Sequence, residues 1–109
     1  MLGLNRCYLI GTLGADPSPG LSSAGLPAVV LDLVTPGGAR VGSTWVDRPD
    51  HHRVTCIGSV LRLLADAHAG DVIGVEATLH CAAPGSPPEL RAVALLFHRP
   101  LPRPGDPRG

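Results

Sequence analysis

The chain has no lysine, only three aromatic residues and no long apolar run, and each shortage narrows what it can do. A membrane-crossing helix needs about 20 consecutive apolar residues, so no membrane partner is expected. The first residues are interrupted at Asn5 and Arg6 and lack a small-residue cleavage pattern, so no secretory leader is expected. Cys7, Cys56 and Cys81 are odd in number, far apart and form no CxxC pair. That pattern argues against a disulfide framework or zinc site and for a reducing compartment, so a soluble, cytoplasmic chain is expected. Cys7 and Cys56 sit within apolar runs and read as small buried hydrophobes.

Catalytic signatures are lacking too: there is no nucleophile elbow, no phosphate loop and no HExxH. Asp32, Asp71 and Glu76 are widely separated and read as solvated strand faces and a turn. His51 and His52 are neighbours on a strand, so they point to opposite faces and do not readily chelate one ion together. No enzyme, metal or cofactor is expected.

Nine acidic residues balance nine basic ones, so no global field draws in a polyanion. All nine basic residues are Arg. Abundant Ala, Gly and Pro point to GC-rich coding as the cause, yet Arg is also the better fork for phosphate and the better stacker on bases.

At 109 residues the chain is one domain of modest core, and 14 Gly with 12 Pro suit punctuated strands better than a helix bundle. Residues 6–13 read as a first strand, with Gly11 and Gly14 marking a bend like those at barrel corners. Asp16, Pro17, Pro19 and Gly20 end it, and residues 22–25 form a second turn. Alternation of Val29, Leu31 and Leu33 with Val30, Asp32 and Val34 makes residues 28–35 a second strand. Residues 36–50 read as a long, flexible loop and residues 51–57 as a third strand. Ser59 is a plausible N-cap for a helix over residues 60–69, with Val60, Leu61, Leu64 and Ala67 on one face and Gly70 at its C′ position. Residues 72–80 and 90–98 are the fourth and fifth strands, joined by a Pro/Gly loop. Residues 100–109 form a disordered Pro/Gly-rich tail beyond a domain of residues 1–99. Strand, strand, strand, helix, strand, strand is the order of an all-β, five-stranded OB-fold Greek-key barrel with one α-helix between strands 3 and 4.

Asn5, Arg6, Leu9, Ile10 and Gly11, then Leu13 to Pro17, Gly25 and the run from Val29 to Thr35 form one block. His52, Arg53 and Val54, followed by Gly58, Gly70, Asp71, Val75, Glu76 and Leu79, form another. Together they resemble the bacterial single-stranded-DNA-binding protein family. The resemblance implies an OB barrel that pairs through its first strand into homodimers or homotetramers. It also implies sequence-independent single-strand binding in replication, repair and recombination, by base stacking and Arg–phosphate contacts. A short member of that family, the primosomal replication protein, is an adaptor between replication proteins, which makes such proteins possible partners. The alternative reading is an adaptor or protein-interaction subunit on the same fold with weak or no nucleic-acid binding.

The departures from that pattern are chemical. His51 stands where the family has Trp, Ile57 where it has an aromatic, and residues 82–89 lack the usual aromatic and basic groups. The family's acidic, Phe-tipped tail is absent from a chain that stops at Pro-Arg-Gly. By resemblance, Arg6 and Arg53 match basic positions that meet phosphates. Trp45 lies in a polar loop and is the candidate stacker, with Arg40 and Arg48 nearby to reach a bound strand. His51 can stack weakly or bond phosphate. His52 matches a subunit-contact histidine, and Tyr8 belongs to the first-strand, oligomer-interface region.

Overall fold

Eight strands and one short helix follow one another in the computed structural model, which describes residues 3–81 and 83–102. They are β1 (Cys7–Leu13), β2 (Ser18–Leu21), β3 (Pro27–Thr35), β4 (Gly38–Val41), β5 (Thr44–Asp47), β6 (Asp50–Cys56), α1 (Val60–Leu63), β7 (Val72–His80) and β8 (Glu89–Arg99). Five of them form the barrel: β1 pairs with β7, β7 with β8, β8 with β6 and β6 with β3. A short β1–β3 pairing, Thr12 with Val34 and Leu13 with Leu33, closes the circle. β6 and β8 run parallel, and every other pair is antiparallel. That is the OB architecture expected from the element order.

Closure depends on β1 changing partners. Its first six residues in register lie against β7, and its last two also lie against β3. At the crossing, a Cβ on Gly11 would collide with the Val34 carbonyl oxygen, a backbone atom that cannot step aside. At Gly14 an added Cβ would sit 2.5 Å from the Asp32 Oδ2, the end of a side chain that can turn aside. The bend expected from these glycines is at Gly11 a place where two strands approach too closely for a side chain.

Alternation fills the interior. Leu31 and Leu33 of β3, Val54 and Cys56 of β6, and Ile73, Val75 and Ala77 of β7 are all fully buried. Each such large aliphatic side chain contributes about 1.5–3 kcal/mol on leaving water. Burial pushes the Cys56 thiol up to about 12, so it stays a neutral core group. Val60, Leu64 and Ala67 are buried in the same core.

Three local expectations are corrected. Residues 36–50 are not a loop throughout: β4 and β5 form a two-stranded hairpin there. Its alternating residues are all exposed, so the buried-face signal that marks a strand is missing. The turn region at residues 18–21 forms β2, which pairs with the start of β3. The helix is one turn, Val60–Leu63, and Ser59 is itself helical with no side-chain cap bond. Gly70 therefore ends no helix. Its φ of 91° turns the chain so that its N–H donates to the Leu13 carbonyl at 2.8 Å.

Asp71 is also corrected, from a solvated turn to a fully buried carboxylate. It accepts from the His68 N–H at 2.9 Å, His98 Nε2 at 2.8 Å and the Leu101 N–H at 2.8 Å. Burial alone would raise its pKa, but the Leu101 amide, His98 and the His68 amide overcome that and hold it at about 2. Leu101, within the segment expected as tail, is thereby tied to the barrel, and its side chain lies against Gly70. The rest of that tail, residues 103–109, lies outside the described residues.

Candidate nucleic-acid interface

Period-two alternation on β3 and β6 divides their residues between the core and one outer face. Val29, Leu31 and Leu33 pair with Cys56, Val54 and His52 on the inner side. Val30, Asp32 and Val34 pair with Thr55, Arg53 and His51 on the other. OB barrels bind oligonucleotides on this face, formed by the second and third barrel strands, here β3 and β6. His51 and Arg53 thus share it, while His52 is turned inward and its Nε2 sits 2.9 Å from the Thr35 hydroxyl. The opposite facing of His51 and His52 matches the strand argument.

Asp32 stands at the centre of the outer face. Its oxygens lie 3.0 and 3.2 Å from His51 Nδ1. An ionised carboxylate only accepts, so Nδ1 is the protonated nitrogen in this pair. Arg53, directly opposite Asp32 in the ladder, has no carboxylate within ion-pair distance among the described residues. These groups border an open groove of about 310 Å³, whose lining includes Ala15, Asp16, Ser18, Asp32, His51 and Arg53.

The β4–β5 hairpin is inserted in the chain between β3 and β6, a separate two-stranded sheet that follows Thr35 and precedes Asp50. Gly42 and Ser43 connect it, with Gly42 at φ 63°, the first central position that a type II′ turn reserves for Gly. Arg40 and Trp45 are register partners, so they share one face of the hairpin. Trp45 is 59% exposed, and its indole N–H donates to Asp47 at 2.9 Å. The ring lies across Gly38, where an added Cβ would be 2.6 Å from it. Arg48 closes the hairpin base, its backbone N–H donating to the Gly37 carbonyl at 2.9 Å. The indole is thus exposed to solvent while held in place by the Asp47 bond and the Gly38 contact.

The remaining candidates lie elsewhere. Arg6 lies against β7, its guanidinium paired with Glu76. Tyr8 pairs in register with Glu76 and is exposed, next to an outer-face cluster with Ile10 and Phe97. Tyr8 and His52 are on different strands that do not pair with each other, so the structure does not bring these two interface candidates together.

Two clusters carry no signal in the sequence because each joins distant segments. Asn5 bonds the backbone of Leu79 in both directions, and Glu89 clasps the β2–β3 turn. In the clasp, Glu89 accepts from the Ser23 N–H at 2.9 Å and from Arg91 at 2.9 Å. Desolvation would raise the Glu89 pKa, but Arg91 and Ser23 bonds outweigh it and lower the carboxyl below its usual range. Glu89 and Arg91 are neighbours on one face of β8, but Ser23 lies 66 residues away from Glu89, so no local spacing joins the turn to its clasp. Among the described residues no three metal-ligating side chains come together, and no helix is long and apolar enough to cross a membrane.

Comparison with solved structures adds one finding to this geometry. The chain superposes on a Plasmodium falciparum SSB in complex with single-stranded DNA with a TM-score of 0.62 and 22% identity, covering 84% of this chain and 88% of the other. It superposes on a deletion mutant of the single-stranded DNA binding protein of Thermus aquaticus with a TM-score of 0.63 and 29% identity. That match covers 95% of this chain and 53% of the other, so the chain spans about half the length of the Thermus protein. This is an SSB-like OB-fold chain. No protein-family model matches the sequence, and no curated protein does.

Proposed function

We propose that this SSB-like chain binds single-stranded DNA without an enzymatic step, with most of its affinity independent of sequence. The observation that supports this best is the β3–β6 face together with the β4–β5 hairpin inserted between those two strands. It combines Arg53, free of carboxylate partners among the described residues, with Arg40 beside an exposed, immobilised Trp45. Arg40 and Arg48 meet phosphates, Trp45 stacks on a base, and Arg53 and His51 add polar edges. Arg6 joins them only when its Glu76 pairing opens. Assembly into a homodimer or homotetramer would use the exposed Tyr8 and Ile10 strand, with His52 as a secondary contact. Replication, repair and recombination in a bacterial cytoplasm are the setting this reading implies.

The test is a titration with oligo-dT followed by Trp45 fluorescence at increasing salt. Quenching that weakens steeply with salt supports the proposal. No quenching at low salt would sink it.

A second reading, an adaptor or protein-interaction subunit with little nucleic-acid affinity, is favoured by a different observation. Arg6 and Arg91 are neutralised by Glu76 and Glu89, while Tyr8, Ile10 and Phe97 remain exposed on the outer face of β1 and β8. A chain that captures a replication protein through that surface, with Arg53 and Trp45 variants unaffected, selects this reading.

A further inference from the structure

The groove on the β3–β6 face has the wrong charge for a phosphate. Asp16 and Asp32 outnumber Arg53 along its lining, so a backbone anion entering it meets net repulsion. What it offers instead is a line of hydrogen-bonding groups. The Arg53 guanidinium donates, and the two oxygens of Asp32, directly opposite in the ladder, accept. Directly opposed strand residues hold their Cβ atoms about 4.5–5.5 Å apart, close enough for one planar ligand to meet both.

Unstacked bases in single strands are read by hydrogen bonds to their Watson–Crick edges. Among the four bases, guanine presents an acceptor followed by two donors: O6, N1–H and the 2-amino group. Cytosine presents the reverse, thymine places its single donor between two acceptors, and adenine has one amino donor beside a ring acceptor. A donor flanked by a two-oxygen acceptor therefore complements guanine. We infer that the groove is a guanine subsite, with Asp32 accepting from N1–H and the 2-amino group and Arg53 donating to O6.

Two details of the site fit this role. Asp32 is 38% exposed in its side chain, so its oxygens are reachable. Its carboxylate offers about four lone-pair directions, of which the His51 contact leaves most free while fixing the carboxylate's orientation. Gly14 removes the Cβ that would push the carboxylate out of position.

The inference rests on the single-strand reading, and its test separates the two. Fluorescence anisotropy would compare a labelled all-thymine strand with strands carrying one central guanine or one central hypoxanthine, which lacks the 2-amino group. The guanine strand is expected to bind about tenfold more tightly, within the range a bidentate base contact supplies. Hypoxanthine is expected to lose most of that gain, and Asp32→Asn to erase it. Equal affinity for the three strands overturns the guanine subsite alone, as does a hypoxanthine strand that matches guanine. Failure of every strand to bind at low salt overturns both the subsite and the single-strand reading. Because the guanine–hypoxanthine comparison uses the wild-type chain, a misfolded variant does not affect it.

Discussion

The side chain of Asn5 acts as an extra residue of the β1–β7 ladder. Its Nδ2 donates to the Leu79 carbonyl at 2.7 Å, and its Oδ1 accepts from the Leu79 N–H at 2.9 Å. The amide thus caps the end of β1 with the two bonds a neighbouring strand would make. Asn5→Ala should lower stability by about 1–2 kcal/mol, since two hydrogen bonds contribute about 0.5–1.5 kcal/mol each and this pair is exposed. Urea unfolding checks it: the midpoint should fall with the slope unchanged.

Trp45 and Gly38 are coupled through contact. Trp45→Ala should weaken oligo-dT binding by the about 1–3 kcal/mol that one base–aromatic stack supplies. Gly38→Val leaves the indole in the sequence but displaces it from its seat. It should weaken binding in the same direction and red-shift Trp45 emission. Unchanged affinity in both variants would remove the hairpin from the interface.

Arg53 and Arg91 differ in how committed they are. Arg53 has no carboxylate partner among the described residues, whereas Arg91 bonds Glu89 and the Ser23 hydroxyl. Arg53→Ala should erase the preference for a guanine-carrying strand over an all-thymine strand and leave the salt dependence of binding unchanged, because its guanidinium donates to the base. Arg91→Ala should leave both alone and instead loosen the β2–β3 turn, raising amide exchange at Ser23 and Gly25.

The Asp71 carboxyl, held at about 2 against an ordinary 3.8, gives a pH signature. Its folded pKa is depressed, so its contribution is fully present above the unfolded value and is lost as pH falls through the folded one. A shift of this size is worth about 2 kcal/mol. Stability should therefore decline between about pH 4 and pH 2 in the wild type. Asp71→Asn should be less stable at pH 7 and flatter across that window, as chemical unfolding at a series of pH values will show.

Gly11→Ala should destabilise more than any exposed substitution, because the new Cβ meets the Val34 backbone at the closure of the barrel. A loss of about 3 kcal/mol or more, or failure to fold, is expected from overpacking against an atom that cannot move. Thermal unfolding beside Gly25→Ala, which meets no atom within 4 Å yet has φ 80°, separates crowding from backbone strain.

Much of the barrel is legible in the residue pattern. The apolar run of residues 72–80 coincides with β7 at its observed bounds, and the patterns for β1, β3, β6 and β8 agree within one or two residues. Leu31 to Val34 alternate between fully buried and half-exposed because one side of β3 faces a core, and a buried face writes its period into the sequence. The β4–β5 hairpin buries neither side, so no period marks it. Helical spacing overstates α1 because Leu64 and Ala67 are buried at that spacing by irregular turns.

The candidate site is legible only as a set of residue types. Local spacing decides that His51 and Arg53 share a face and that His52 does not, since alternation is a property of the strand itself. Tertiary structure decides the rest. Arg6 is neutralised by Glu76, 70 positions away, while Asp32 bonds His51 rather than the Arg53 opposite it, so among the described residues Arg53 has no carboxylate partner. Composition, periodicity and turn chemistry determined that this chain closes an OB barrel. Only the folded register determined where its charges meet, because charge pairing is a matter of distance in space.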